Sequence, residues 1–93
     1  MYGTVAKMEV LPGKRDELRT LMENQMSEPV AGYIKSYALV ENGNDTLWLT
    51  VLFEDKDSYM ANADDPAQNE RYMAMRALLA SDPEWHDGMI EER

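Results

Sequence analysis

The stretch "TLWLTVLF", Thr46–Phe53, decides how the fold of this 93-residue chain is interpreted. Its apolar residues recur with the period of two that is typical of a β-strand, at Leu47, Leu49, Val51 and Phe53. The opposite face is apolar as well, because Trp48 and Leu52 flank Thr50. A strand between helices and solvent needs one apolar face, whereas this strand has two. We therefore expect a second subunit to cover the face that carries Trp48.

Two further strands are predicted on the N-terminal side of this stretch. The segment "YIKSYALV", residues 33–40, is rich in β-branched and aromatic residues, and the polar cluster at 42–45 is suited to positive φ and therefore to a hairpin. Apolar and polar residues alternate over residues 2–10, which predicts the first strand, and "LPG" at 11–13 ends it. The sequence thus predicts three strands before residue 54.

Helical patterns lie between and after these strands. Apolar residues recur at helical spacing at Leu18, Leu21, Met22 and Met26, which predicts an amphipathic helix. Residues 55–62 form a short acidic helix candidate. A stronger start signal follows, with Asp65 as N-cap, Pro66 at the first helical position and Gln68 placed to complete a capping box. This helix is predicted to run to about Ala80.

The only histidine, His86, stands in "SDPEWHDG", residues 81–88, next to Trp85 and among three carboxylates. Such a group could be an acid/base centre, a metal ligand or part of a connecting loop. Because an Asp-Pro turn precedes it, we interpret the segment as a connector that sets Trp85 against the end of the domain. The last strand is then predicted at 88–93, "GMIEER".

The predicted order of elements is β, α, β, β, α, β in one domain that spans residues 1–93. That order predicts an α+β, ferredoxin-like fold with a four-stranded antiparallel sheet and the helices on one face. The first and third strands lie in the middle of such a sheet. Two subunits that pack their bare sheet faces together would form a dimeric α/β barrel, so we expect a homodimer.

Composition excludes several kinds of function. Eighteen acidic and nine basic residues give a net charge of −9, which repels phosphate backbones and anionic lipids. We therefore expect neither nucleic acid nor a membrane as a partner. The absence of cysteine and the single histidine exclude thiolate metal sites and zinc bound by several imidazoles of one subunit. Because no apolar run could cross a bilayer and the start lacks a signal-peptide pattern, we expect a cytoplasmic protein.

Three segments together carry a resemblance to a known family. They are "LPGKRDELRTLM" at 11–22, "LWLTVLFEDKDSYMANADDP" at 47–66 and "RYMAMRALLASDPEWHDG" at 71–88. This pattern resembles the antibiotic biosynthesis monooxygenase (ABM) domain of the dimeric α/β-barrel superfamily, over nearly the whole chain. The resemblance implies a homodimer with a pocket in each subunit, between the sheet and the helices. Superfamily members differ in activity, so the fold alone does not define the chemistry.

Some relatives in that superfamily degrade haem, and the resemblance argues against this activity here. Those relatives use an asparagine on the first strand, a tryptophan after the third strand and a histidine on the last helix. The matching places fall near Lys7, near Asn62, and near Arg71 or Tyr72. All three residues are substituted, and no histidine is left to ligate the iron from that helix.

Other relatives oxygenate phenols, quinols or polyketide intermediates with dioxygen and without metal or flavin. Their tyrosine after the third strand corresponds to Tyr59, their tryptophan at the end of that strand to Phe53, and an earlier asparagine to Leu49. The resemblance thus implies Tyr59 as the catalytic residue that orients the substrate or handles its proton. The implied substrate-binding residues are Asn62, Arg71, Tyr72, Phe53, Leu49 and Met75. No metal site and no cofactor are implied.

Two hypotheses of different classes follow. The first is a homodimeric monooxygenase that acts on a small phenolic, quinol or polyketide-like molecule. The alternative is a non-catalytic, small-ligand-binding or stress-associated dimer whose pocket holds a small aromatic or apolar molecule unchanged. As an alternative to a role in the site, Tyr72, Met75 and Leu79 pack their helix on the sheet. The sequence leaves open whether the protein is an enzyme.

Overall fold

The chain is described by a computed structural model over residues 1–25 and 29–93. In that part of the chain the elements are β1 (Tyr2–Glu9), α1 (Arg15–Gln25), β2 (Tyr33–Val40), β3 (Thr46–Phe53), α2 (Lys56–Ala63), α3 (Pro66–Arg76) and β4 (Glu84–Met89). The strands form one antiparallel sheet in the order β2-β3-β1-β4. The predicted ferredoxin-like fold, with the first and third strands in the middle, is confirmed. Met26, which we assigned to the first helix, lies outside the described residues.

The hairpin between β2 and β3 forms where the polar cluster predicts it. Gly43 adopts a φ of +78°, a left-handed conformation that glycine reaches without a steric penalty. The backbone N–H of Thr46 donates to the Asn44 side chain over 2.9 Å, which fixes the start of β3. Both strands have the predicted bounds, because the turn chemistry and the alternation agree at this point.

The hydrophobic core lies between the helices and one face of the sheet. Strands β1 and β3 supply its centre, where Ala6 and Met8 are fully buried. Leu18 is the buried residue of α1 and Met75 that of α3. Burying these side chains removes apolar surface from water, which is the main favourable contribution to folding.

The other face of the sheet, which we call the open sheet face, has no helix from the described residues against it. It carries apolar side chains from three strands, namely Val5, Tyr37, Leu39, Trp48 and Leu52. Tyr37 and Leu39 are each 58% exposed, whereas Trp48 is half-buried. The structure therefore confirms that β3 has a second apolar face. That another subunit covers this face stays a prediction.

Helix α3 is shorter than predicted. It ends at Arg76 and not near Ala80, because the chain beyond it joins the end of the sheet. Leu79 forms a β-bridge with Val10, and the Ala80 N–H donates to the Glu9 carbonyl over 2.8 Å. These long-range contacts satisfy backbone groups that a further helical turn would otherwise have used.

The predicted position of the last strand is wrong. Strand β4 spans Glu84–Met89 and pairs with β1, so most of the segment interpreted as a connector is strand. Beyond it, the Ile90 N–H still donates to the Met1 carbonyl over 2.9 Å. Five of the six strand residues are exposed, so β4 has no alternation of buried and exposed positions from which it could be recognised.

None of the three helices in the described part of the chain has the length and apolar character needed to span a bilayer.

Candidate functional site

A cavity of about 360 Å³ lies between the helix-covered face of the sheet and the helices. Its volume is within the range of roughly 300–1,000 Å³ that is typical of small-molecule sites. All seven predicted site residues line it, namely Leu49, Phe53, Tyr59, Asn62, Arg71, Tyr72 and Met75. The structure thus brings these side chains together, and the roles assigned to them stay predictions.

Strand β3 and helix α2 form the aromatic end of the cavity. Phe53 is 2% exposed, and its ring meets those of Tyr33 and Tyr59 edge to face, at centroid distances of 5.8 and 5.6 Å. The ring of Tyr2 also meets that of Tyr59, at a centroid distance of 5.3 Å. The side chain of Asp55 caps α2 by accepting from the Ser58 N–H over 2.8 Å. Capping and ring packing together fix the position of the Tyr59 side chain.

The hydroxyl group of Tyr59 donates a hydrogen bond to Asp87 on β4 over 2.8 Å. Burial of the phenol, and then this contact with the carboxylate, raise the pKa of Tyr59 to about 12. Tyr59 is therefore protonated at neutral pH and cannot act there as a phenolate base. Its chemistry at this pH is that of a fixed hydroxyl group whose proton is directed at Asp87.

Thr4 adds a second hydroxyl group at this end of the cavity. It is 2% exposed, and its hydroxyl oxygen is closed off from solvent. On the sheet Thr4 pairs with Asp87 of β4, and its hydroxyl lies close enough to Tyr59 to oppose the rise of the Tyr59 pKa. The alternation along β1 could have identified Thr4, because it is a polar residue in the inward-facing row.

Helix α3 and strand β4 also contribute to the cavity wall. The ring of Tyr72 lies 6.4 Å from that of Trp85. The Arg71 guanidinium donates to the Gln68 side chain over 3.2 Å, and the Arg71 carbonyl accepts from Gln25 of α1 over 3.1 Å. Trp85 was missed as a lining residue because its strand was predicted too late in the chain. These contacts connect α3 to β4 and to α1.

The capping box predicted at the start of α3 is only half formed. Asp65 accepts from the Ala67 N–H over 2.9 Å, and Pro66 takes the first helical position as predicted. The backbone N–H of Asp65 donates to the Asn62 carbonyl over 3.1 Å instead of to Gln68. Since the Gln68 side chain accepts from Arg71, it contributes to the cavity wall rather than to the cap.

His86 lies outside the cavity. It pairs with Val5 on the open sheet face, and its Nε2 is 3.0 Å from Glu84. Lys7 is on the same face, 5.7 Å from the Trp48 ring, so the place matching the haem-degrading asparagine does not reach the cavity. Within residues 1–25 and 29–93 no group of three or more histidine or carboxylate side chains could hold a metal ion.

A ferredoxin-like sheet with a cavity under its helices is the arrangement that the resemblance to the ABM domain implies. The chain matches no protein-family model and no curated protein. It does match solved structures over nearly its whole length. The cofactor-independent oxygenase SnoaB from Streptomyces nogalater is 18% identical, with a TM-score of 0.81, covering 99% of this chain and 94% of that one.

Two further solved structures are similar. The monooxygenase ActVA-Orf6 of Streptomyces coelicolor, solved in complex with nanaomycin D, is 18% identical with a TM-score of 0.81, over 99% of this chain and 88% of that one. A Chloroflexus aurantiacus protein classed with the antibiotic biosynthesis monooxygenases is 21% identical with a TM-score of 0.74, over 99% and 96%. The resemblance to the ABM domain is confirmed, and at these identities it establishes the fold.

The environment of Tyr59 predicts an alkaline transition. We expect its phenol to ionise near pH 12, so the absorbance step that is lost in Tyr59→Phe should be centred near that pH. The folded protein binds this proton more tightly than the unfolded chain, so the associated stability is present below pH 10 and is lost as the pH rises towards 12. Tyr37→Phe, at an exposed phenol, is the control. If the absorbance step that is lost in Tyr59→Phe is centred near pH 10 instead, the raised pKa of Tyr59 is contradicted.

Proposed function

We propose that the protein is a monooxygenase that uses neither metal nor flavin and acts on a small phenol or quinol. The observation that carries this proposal is the ligand-sized cavity in which an apolar wall meets the fixed hydroxyl group of Tyr59. The likeness of the fold to SnoaB, which is described as a cofactor-independent oxygenase, supports the same class of reaction.

The chemistry needs a substrate that supplies its own electrons. A phenol that loses its proton becomes an electron-rich phenolate, which can pass one electron to dioxygen. The two radicals combine at a ring carbon to give a peroxide anion, which takes up the proton that the phenol lost and becomes a hydroperoxide. Loss of water from that carbon leaves a quinone. One phenol and one dioxygen thus give one quinone and one water. The protein has to orient the phenol, accept its proton and exclude bulk water.

The lining residues fit these tasks. Leu49, Phe53 and Met75 are buried apolar side chains that keep water from the ring of the substrate. Tyr59 orients the substrate hydroxyl, and its contact with Asp87 offers a path for the proton out of the cavity. Other polar groups of the lining, among them Asn62 and Arg71, supply hydrogen-bond donors for further substrate oxygens.

Oxygen consumption tests the proposal. With a panel of small quinols and naphthols, we expect the wild-type protein to take up oxygen and to form quinones. Tyr59→Phe should lower kcat/KM on the order of tenfold, because the oxygen atom that orients the substrate is lost. The measurement is oxygen uptake together with mass spectrometry of the product.

Matched variants make this result specific. Tyr37→Phe removes a phenol that is 58% exposed on the open sheet face, and it should leave the rate unchanged. Prior dialysis against a chelator should have no effect. If oxygen uptake by the wild-type protein does not exceed that of Tyr59→Phe with any member of the panel, the result counts against an oxygenase.

A second candidate function is binding without turnover. It is favoured by Leu49 and Phe53, which stand where the oxygenases of the resemblance have an asparagine and a tryptophan and which offer no hydrogen-bond donor. In that case panel members should raise the melting temperature while mass spectrometry finds them unchanged. Product formation in step with oxygen uptake would exclude this candidate.

We further propose that two copies of the chain pack through the open sheet face. This face presents the indole of Trp48 next to the exposed Leu39, with which it pairs across the strands. Removing exposed apolar area of this kind from water is favourable. Around a two-fold axis, this face of one copy can pack against the same face of the other. The arrangement leaves the helix-covered side, and with it the cavity, accessible in each subunit.

A further inference from the structure

We propose that the ligand of the cavity carries an apolar arm ending in a carboxylate, and that this arm lies in a second groove where it reaches Arg15 and Arg19. We call this groove, which α1 forms with Ser36, Ala38 and Val40 of β2, the side groove. The inference rests on the proposed function in that it concerns the ligand of the same cavity, and it adds a charged group to the aromatic body. Neither arginine was among the predicted site residues.

The floor of the side groove is apolar and open to a ligand. The groove has a volume of about 170 Å³ and lies on the helix-covered face of the sheet, at its β2 edge. Ala38 and Val40 pair with Leu49 and Leu47 of β3, which are buried. Val40 itself is 38% exposed. An apolar arm that covers this floor would remove the exposed area from water, which is favourable.

The side groove continues the cavity. Met22, Ser36 and Leu49 line both. From Ser36 at this junction the groove follows β2 to Val40, a distance of roughly 13 Å at the usual rise of a strand. A ligand whose aromatic body fills the cavity can therefore extend a flexible arm along the groove without leaving the apolar surface.

Two guanidinium groups line the far half of the side groove. Arg15 and Arg19 lie one turn apart on α1, where like charges repel each other. Arg15 donates to the Asn44 carbonyl, which leaves its other N–H groups for a ligand. Neither arginine forms an ion pair with a carboxylate of the residues that the structure describes. A ligand carboxylate beside them would relieve the repulsion and would accept charge-assisted hydrogen bonds.

Glu23 makes the length of the arm matter. It lines the groove next to Met22, at the junction with the cavity, and lies one turn beyond Arg19. Arg15 is roughly 12 Å further back along the helix, at the usual rise per residue. A carboxylate on a short arm would therefore stop near Glu23 and be repelled, whereas one on a long arm passes it and reaches the two arginines. The groove thus favours a long acidic arm over a short one.

Binding measured without oxygen tests the side groove. The probes are 8-(1-naphthyl)octanoic acid and 1-naphthylacetic acid, each compared with its neutral primary amide. We expect the long-arm acid to bind about three- to fivefold more tightly than its amide, the amount that a partly exposed ion pair provides. The short-arm acid should bind no better than its amide. The fluorescence anisotropy of the naphthalene ring, recorded under anaerobic conditions at neutral pH, gives the four dissociation constants.

Variants on α1 identify the groups responsible. Arg19→Gln should remove most of the preference for the long-arm acid over its amide. The matched control is Lys14→Gln, which loses the same charge from the same end of the helix. Lys14 is exposed, lies 3.2 Å from Glu17 and does not line the groove, so this variant should keep the preference. Glu23→Gln should improve binding of the short-arm acid relative to its amide. Added salt should weaken the long-arm acid more than its amide.

Equal affinities of the wild-type protein for the long-arm acid and its amide would overturn the inference, as would the absence of binding by all four probes. The same holds if Lys14→Gln reduces the preference as much as Arg19→Gln. If Arg19→Gln leaves probe binding unchanged and weakens self-association in sedimentation velocity, a second copy occupies the groove and the inference is wrong.

Failure of the proposed function looks different. The preference for the long-arm acid would then persist, while no quinol of the panel is oxidised. Oxygen uptake without such a preference would leave the oxygenase and remove the side groove from the binding site.

Discussion

Leu18→Ala is expected to lower the free energy of unfolding by about 3 kcal/mol, within a range of roughly 2–5 kcal/mol for such truncations. Leu18 is fully buried and is the side chain by which α1 enters the core. Truncation removes favourable transfer energy and leaves a space that the surrounding strands cannot fill, because β1 and β3 are paired along their whole length. In a domain of this size we expect the melting temperature to fall by roughly 10–20 °C.

Chemical denaturation at a fixed protein concentration measures this loss. The matched control is Leu21→Ala, the same substitution one turn later on a half-buried residue of the same helix. It should cost clearly less, since less apolar surface returns to water. A loss for Leu18→Ala that is no larger than that of Leu21→Ala would contradict the position of α1.

Leu39→Glu is expected to convert the proposed dimer into monomers. Leu39 is 58% exposed in the isolated chain, so its replacement should not affect the fold of one subunit. In a dimer that packs through the open sheet face, the new carboxylate would be buried without a partner. Such burial costs several kcal/mol, which raises the dissociation constant by a factor on the order of 100 or more.

Sedimentation velocity separates the outcomes. The wild-type protein should sediment at twice the mass of the 10.7 kDa chain, and Leu39→Glu at the mass of one chain with unchanged secondary structure. Met73→Glu is the control, because Met73 is equally exposed, at 59%, but lies on α3. A wild-type protein that sediments as a single chain at micromolar concentration excludes the proposed dimer, and so does a Leu39→Glu protein that stays dimeric.

The part of the fold that could be predicted is the part encoded in local patterns. Strands β2 and β3 have the predicted bounds because alternation and the turn at Gly43 agree on them. The end of α3 could not be predicted, since it depends on the bridge between Leu79 and Val10, which are distant in sequence. The position of strand β4 was not predicted because its residues, mostly exposed, show no alternation of apolar and polar side chains.

The candidate site, too, could be predicted only in part from the sequence. Tyr59 and the other predicted lining residues were identified through a resemblance that includes α2 and α3. Asp87 and Trp85 depend on the register of β4 against β1, which sequence alternation does not specify for an exposed strand. Thr4 was visible as a polar residue in an apolar row, but its position beside Tyr59 follows only from the packing of α2 against β1.

Helix α2 has no buried residue, although it carries Tyr59 and forms one side of the cavity. Segments with few buried apolar contacts open at a lower free energy than the strands and helices of a core. We therefore expect local opening of α2, while β1 and β3 stay paired, to be the route by which a guest molecule enters and leaves the cavity. The contact between Tyr59 and Asp87 would break in each such opening, so we expect Tyr59→Phe to shorten the residence time of a guest.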